Sequence, residues 1–422
     1  MNILFIHQNF PGQFKSLVPA LLDKGHDISV LTTSNLTNYS IKNIKVYNYK
    51  IKRVSTKGIH PWLIDFETKI IRGEACALAA KELKSNGYYP DVVVAHHGWG
   101  ESMFLKEIWP KAKIGIYCEF YYASEGQDVG FDPEFPVSKQ MLSDSRLKLK
   151  NLNNILHFDI ADAAISPTRW QASTFPKSFR EKIDIIHDGI DTKKIAPNKA
   201  AEVILNTNEQ KQIKLTVNNE IITFINRNLE PYRGYHIFMR ALPEILKNRP
   251  RCRVVIIGGD GVSYGAKPDI SRYKFGTWKE VFIAEVKPFI SESDWARVHF
   301  VGQLPYSTYL SVLQISSCHV YLTYPFVLSW SLLEAMSVEC PIVASDTEPL
   351  REVITHNKTG VLTDFFDSEG VSSAVIKTLK NNNKAKKMGK NARKFVVEHY
   401  DLFNVCLPRQ IKWIERLSSS VS

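Results

Sequence analysis

Short apolar runs of four to six residues alternate with longer stretches of helical period along nearly the whole chain, in two successive series. Strands buried on both faces need such runs, and the crossovers between parallel strands need helices. The alternation therefore predicts an α/β protein with parallel sheets covered on both sides. In the first series the expected strands are Ile3 to His7, Ile28 to Thr32, Val92 to Ala95, Ile114 to Tyr117, Ala163 to Ile165 and Ile183 to His187. Gln13 to Lys24 reads as an amphipathic helix with Phe14, Leu17, Leu21 and Leu22 on one face and Gly25 just past its end. The second series places strands at Ile221 to Ile225, Val254 to Ile257, Val298 to Val301, Val320 to Leu322, Pro341 to Ala344 and Thr359 to Leu362.

Between the series, Asp191 to about Asn219 is polar, rich in Lys, Asn and Thr, and reads as a linker with a surface excursion. The boundary is placed near 195, giving domains 1–195 and 196–399. Beyond Asp367 come a basic helix over about Ser372 to Asn382, another over Lys384 to His399, and an amphipathic segment around Gln410 to Leu417. The NNNKAKKMGKNARK run is either a solvated helix surface or a membrane-docking face.

A length of 422 residues suffices for two such cores. No apolar stretch approaches the roughly 20 residues that span a bilayer. The start, MNILFIHQNF, lacks a basic segment and a signal-peptide core, so a cytoplasmic location is expected. Six cysteines lie far apart with no C-x-x-C pair, as buried reduced thiols do. The net charge of +11 suits an anionic partner, whether nucleic acid, a phospholipid surface or phosphorylated small molecules, or is simply a basic surface. Aromatic-basic interleaving and nucleic-acid-binding motifs are missing, so no nucleic-acid partner is expected.

Metal-held diphosphates usually need closely spaced carboxylates. No D-x-D occurs, and the D-x-E pairs Asp65 and Glu67, Asp132 and Glu134, and Asp346 and Glu348 have a spacing common among surface acids. H-E-x-x-H, G-x-S-x-G and the P-loop are absent, which removes zinc hydrolase, serine hydrolase and P-loop nucleotidase chemistry. Chemistry without metal or cofactor is expected.

Three strand ends carry the remaining polar chemistry. Gly258-Gly259-Asp260-Gly261 lacks dinucleotide spacing, and Gly259 either lets backbone approach a nucleotide or shapes a plain loop. Arg227 and Arg233 flank a turn before a helix expected over His236 to Leu246. Guanidinium groups at a strand's carboxyl end can grip a diphosphate two-pronged; the alternative is that these are solvated or paired with Glu230. The loop Phe326, Val327, Leu328, Ser329, Trp330 would present backbone N–H groups and the positive end of a helix starting near Ser331, suited to phosphate oxygens. Glu334, one turn in, can take both ribose hydroxyls of a nucleotide or be an exposed helix glutamate. In the first half, His96, His97 and Trp99 follow a strand and are candidate binding residues; adjacent histidines on a strand end point oppositely and make a poor zinc site.

Two similar α/β halves, the I-H-D-G-I-D junction over Ile186 to Asp191, the Arg227 and Arg233 turn, and L-L-E-A-M-S with P-I-V-A-S-D downstream together resemble the retaining GT-B-fold glycosyltransferases of family 4, the glycosyl transferases group 1. Asn9-Phe10-Pro11-Gly12-Gln13 and Lys24-Gly25-His26-Asp27 carry the resemblance into the first half. It implies two Rossmann-like doubly wound domains facing each other across a cleft, with a C-terminal helix, about 400–422, crossing back to the first. By the same resemblance the first domain binds the acceptor and the second a nucleotide-sugar. Glu334 holds the ribose, Arg227 and Arg233 neutralise the leaving diphosphate, and Gly12 lies near the donor phosphates. The implied reaction is retaining sugar transfer without metal, in cell-surface polysaccharide or glycoconjugate synthesis. The acceptor is a saccharide, a lipid-linked group or a protein, and a lipid-linked one suits peripheral association with the inner face of a membrane.

Three departures stand out. The family's E-x7-E would put its first glutamate at Phe326, so the carboxylate that commonly meets the donor sugar is missing. Glu119 stands where the family often has a sugar-facing histidine, and either takes that place or is structural. The interval from Arg227 to Arg233 is one residue longer than the common spacing. The missing glutamate leaves a second reading, a non-catalytic nucleotide-sugar-binding partner of another transferase.

Overall fold

Two parallel sheets, each wound from its own stretch of chain, carry the architecture. The computed structural model describes residues 1–34, 43–136, 143–206 and 212–419. Contacts divide it into one unit of Met1–Gly189 with Leu402–Ser422 and a second of Ile190–Asp401.

The first unit holds β1 (Asn2–Ile6), β2 (Asp27–Thr32), β3 (Ile44–Asn48), β4 (Val92–His96), β5 (Lys113–Tyr117), β6 (Ala163–Ser166) and β7 (Ile183–Ile185) in the order β3-β2-β1-β4-β5-β6-β7. Every pairing is parallel, with Ile3 opposite both Ile28 and Val92. The apolar runs expected as strands are all present, and β3 is an addition. It pairs along one side only and leaves Lys45 and Val46 exposed, so it has no apolar run to announce it. The helix expected over Gln13 to Lys24 is divided into a 3₁₀ turn, Gly12–Phe14, and a helix, Leu17–Asp23; Phe14, Leu17, Val18 and Leu21 are its buried residues.

The helix Leu407–Ser419 returns to this sheet. Trp413 packs so closely over β5 that a Cβ on Gly115 would lie 2.4 Å from its ring. Gln410 donates to the His187 carbonyl at 2.9 Å, and Arg416 pairs with Asp184 at 3.0 Å.

The second unit repeats the winding. Its strands β10 (Ile221–Asn228), β11 (Arg253–Gly259), β12 (Val298–Phe300), β13 (Cys318–Tyr321), β14 (Ile342–Ser345) and β15 (Val361–Thr363) lie in the order β12-β11-β10-β13-β14-β15. Between the two series, β8 (Glu202–Asn206) and β9 (Gln212–Thr216) form an antiparallel hairpin where the sequence suggested a linker with a surface excursion. Val203, Leu205 and Leu215 bury its inner face while Ile204, between the first two, is 55% exposed; the run Val203-Ile204-Leu205 is three residues long, shorter than the four to six of the strands read from the sequence. The 207–211 part of that segment lies outside the described residues. The division at Gly189 and Asp401 differs from the sequence boundaries of 195 and about 400 for a hydrogen-bonding reason. Ile190 donates to the Tyr400 carbonyl, Thr192 bonds Asp401, and Arg393 donates to the Thr192 carbonyl, so 190–195 is held by the end of helix Asn382–Tyr400.

In both sheets the winding direction reverses between the first and fourth strands in order of appearance, β1 and β4 in one and β10 and β13 in the other. Crossovers leave opposite faces there, and the carboxyl ends of those strands border an open crevice. Arg227 and Arg233 stand at one of these places, and His96 and Glu119 at the other.

Candidate functional site

In the second unit, β10 carries a register irregularity between Ile225 and Asn228. Such irregularities re-aim side chains at strand ends, and here Arg227 is left exposed. Arg233, in the 3₁₀ turn Pro231–Arg233, is only 7% exposed. It donates to Thr323 Oγ1 at 2.7 Å, and its guanidinium carbon lies 5.1 Å from the centre of the Tyr264 ring. Arg227 and Arg233 border one cavity of about 470 Å³, together with Asn226, Asn228, Tyr264, Tyr321, Ser329 and Ser331. Ser329 caps the helix Trp330–Ser337, accepting the Ser331 N–H at 3.3 Å. Two guanidinium groups and a helix entrance thus share one wall of space, an arrangement that suits a polyanion.

Glu230 does not pair with either arginine. Its fully buried carboxylate instead accepts the backbone N–H groups of Ser263, at 2.9 Å, Tyr264, at 3.3 Å, and Gly265, at 3.0 Å. Buried carboxylates need several donors, and these come from the glycine-rich loop after β11. Gly259, at the end of that strand, would bring a Cβ within 2.6 Å of Asn228 Oδ1.

Of the other expected residues, Val327 and Leu328 are buried, and Leu328 joins the apolar core. Trp330 is exposed, and of this loop and helix start Ser329 and Ser331 border the cavity whereas Val327, Leu328 and Trp330 do not. Glu334 is buried, with Tyr306 Oη donating to Oε1 at 2.7 Å and Tyr309 Oη to Oε2 at 2.6 Å. Both tyrosines border the cavity. They stand one turn apart on helix Tyr306–Ile315, a spacing of three that puts them on one face and was available in the sequence. Phe326 packs among aromatic rings, 5.3 Å from Tyr232 and 5.1 Å from Tyr264 between centres.

The first unit's strand ends hold a different cluster. His7, just past β1, accepts the Asn9 N–H at Nδ1, 3.0 Å, which leaves Nε2–H to donate to Gln13 Oε1 at 2.9 Å. Gly12 has φ +48°, and a Cβ there would lie 2.3 Å from His7 Nε2, so only glycine fits. The His96 ring stacks on Trp99 at 4.3 Å and Tyr117 at 5.3 Å and meets His7 edge-on at 5.4 Å. Its Nδ1 accepts the Gly98 N–H, and Nε2 lies 3.8 Å from Glu119 Oε2. Glu119 keeps 45% of its side-chain surface in solvent, yet the surrounding protein desolvates its carboxyl and raises its pKa. Burial lowers the pKa of His7 and, further, that of His96. His97 turns away to Tyr117 O, 2.9 Å, and Asn154 Oδ1, 2.6 Å, outside this group. The structure therefore joins Gly12, His96, Trp99 and Glu119 around His7, which the sequence showed only as a strand residue.

Among the described residues, no group of three or more His, Cys, Asp or Glu side chains could hold a metal ion, and no helix is long and apolar enough to cross a membrane.

Comparison with known proteins covers both units. Residues 24–195 match the glycosyl transferase family 4 group, and residues 206–395 match glycosyl transferases group 1. An uncharacterized glycosyltransferase of Methanocaldococcus jannaschii is 26% identical over 52% of this chain and 49% of its own length, so the chain matches about half of that relative. A GDP-mannose-dependent alpha-(1-6)-phosphatidylinositol monomannoside mannosyltransferase of Mycolicibacterium smegmatis is 21% identical over 72% of each chain. The crystal structure of Anabaena HepE in complex with UDP has the same fold, with a TM-score of 0.66, 15% identity and 100% of each chain covered.

Proposed function

The chain belongs to the GT-B glycosyltransferases of family 4, and from that premise we propose that it moves a sugar from a nucleoside diphosphate sugar to an acceptor hydroxyl, retaining the anomeric configuration and using no metal ion. The observation that carries this reading is the meeting of Arg227, Arg233 and the Ser329-capped helix entrance on one cavity. The two relatives with named ligands differ in base, GDP-mannose for the mannosyltransferase and UDP for the Anabaena protein. A nucleoside diphosphate is common to both, and that is the part the guanidinium groups would hold.

In this mechanism the bond from the anomeric carbon to the terminal phosphate oxygen breaks, and the acceptor oxygen bonds to the same face of that carbon. The hydroxyl proton passes to the departing phosphate oxygen. Arg227 and Arg233 take up the charge developing on the diphosphate, which is worth on the order of 3 kcal/mol per well-placed donor. Glu334 accepts the ribose hydroxyls. Gly259 lets the loop after β11 approach the nucleotide, and backbone N–H groups of 327–331 meet the phosphates. In the first unit, Glu119, His96 and Trp99 meet the acceptor, and Gly12 keeps that surface open. A saccharide, lipid-linked or protein acceptor in cell-surface polysaccharide or glycoconjugate synthesis fits the reading, with a lipid-linked one met at the inner face of a membrane.

Thermal shift against UDP, GDP, ADP and their sugar conjugates, with and without a chelator, tests it. A ligand at 100 times its Kd stabilises by about 2.7 kcal/mol, and the stabilising conjugate should then support transfer to a saccharide or lipid acceptor. Stabilisation by none of them, or transfer abolished by the chelator, would sink the reading.

A further inference from the structure

Both carboxylate oxygens of Glu334 are engaged before any ligand arrives, Oε1 by Tyr306 at 2.7 Å and Oε2 by Tyr309 at 2.6 Å. A carboxylate has about four lone-pair positions, and two tyrosine hydroxyls use one on each oxygen. The free positions are therefore fixed in direction, because the side chain cannot rotate without breaking two short, charge-assisted bonds. Tyr306 is 49% exposed and Tyr309 partly buried, and both border the cavity of Arg227 and Arg233. Burial, reinforced by the neighbouring carboxylate, raises the pKa of both phenols, so they remain donors.

We infer that Tyr306 and Tyr309 are positioning residues that aim Glu334 at the paired hydroxyls of a ribose, and so make the cavity select ribonucleotides over their deoxy counterparts. The inference rests on the nucleotide reading of this cavity and adds the device that gives it sugar-ring selectivity. A phenylalanine at either position keeps the ring packing and frees one carboxylate oxygen. The aim is then lost while the diphosphate contacts stay.

The experiment measures, by calorimetry on the full chain, the affinities of UDP, GDP and ADP and of the 2′,3′-dideoxy counterpart of whichever binds. Wild-type protein should prefer the ribonucleotide. Tyr306→Phe and Tyr309→Phe should each reduce that preference about tenfold, with affinity for the dideoxy compound unchanged, and Glu334→Gln should reduce it at least as much. A role confined to packing would lower the melting temperature or weaken both ligands equally. Equal weakening, or an undiminished preference in both phenylalanine variants, overturns the inference while leaving the nucleotide reading intact. Failure of wild-type protein to bind any of the three diphosphates overturns both. Tyr306→Phe, at a half-exposed position, keeps the test available should the Tyr309 variant not fold.

Discussion

The two units wind their sheets alike and put opposite chemistry at the reversal point. In the first, the strand ends present imidazole rings that burial keeps from charging, packed against Trp99 and Tyr117. In the second, they present two guanidinium groups around an open cavity of about 470 Å³. Topology chooses where a ligand crevice forms, and the residues at the strand ends choose what it holds. The second unit's pocket brings two guanidinium groups as counter-charge for a diphosphate.

The largest break in this contrast comes from removing those charges. Arg227→Ala should cost about 100-fold in kcat/KM for the nucleotide-sugar, by analogy with a lost oxyanion donor, with an unchanged melting temperature, since the side chain is exposed. Arg233→Ala should match it in kinetics and also lower the melting temperature, because it empties a buried position and removes the bond to Thr323 Oγ1.

Next, acid should separate the units. Burial holds His7, His96, His97, His157 and His187 of the first unit below their ordinary value, the last two down to about 3. In the second, burial takes His299 and His319 down to about 4. Above pH 6.5 these rings are neutral whether folded or not; below it the unfolded chain binds protons first, and the folded state loses stability until the folded values are reached. The first unit should therefore open before the second as pH falls from 6.5 toward 3, as hydrogen exchange read by mass spectrometry would show. Simultaneous opening would remove the contrast.

Backbone changes confined to one unit sharpen it further. Gly12→Ala forces a side chain to φ +48° against the His7 ring and should cost about 1–3 kcal/mol, with transfer impaired and nucleotide affinity in calorimetry unchanged. Gly115→Ala drives a methyl group into Trp413 and should cost about 1–3 kcal/mol by overpacking, seen as earlier melting of the first unit. The smallest effect belongs to Lys24→Ala. It removes an ion pair to Glu415 whose partners are 49% and 41% exposed, and the expected loss is below about 1 kcal/mol and vanishes in salt.

Much of this was legible in the sequence, for reasons that also explain the gaps. Strands buried on both faces leave continuous apolar runs, and every one of those was found. An edge strand with Lys45 exposed leaves no such run, and a hairpin whose Val203-Ile204-Leu205 stretch buries its first and third residues but exposes the second leaves one only three residues long. At the site, Arg227, Arg233 and Glu334 stood out because their residue types sit just after strands or at a helix start. Their partners did not, since Thr323 is 90 residues from Arg233 and Tyr306 is 28 from Glu334, distances that only the folded sheet closes. His7 was hidden inside an apolar run, and Glu230 looked like a partner for arginine until its carboxylate was found on the 263–265 amides. Phe326 could be recognised as a departure, whereas its seat between Tyr232 and Tyr264 depends on rings far along the chain.

That grip of Glu230 on three successive amides has a kinetic consequence. A loop already tied down at the mouth of a cavity has little freedom left to surrender when a ligand docks. Capture should therefore follow a single exponential whose rate rises linearly with nucleotide concentration, and Glu230→Gln should bring in a slower second phase as the slackened loop settles.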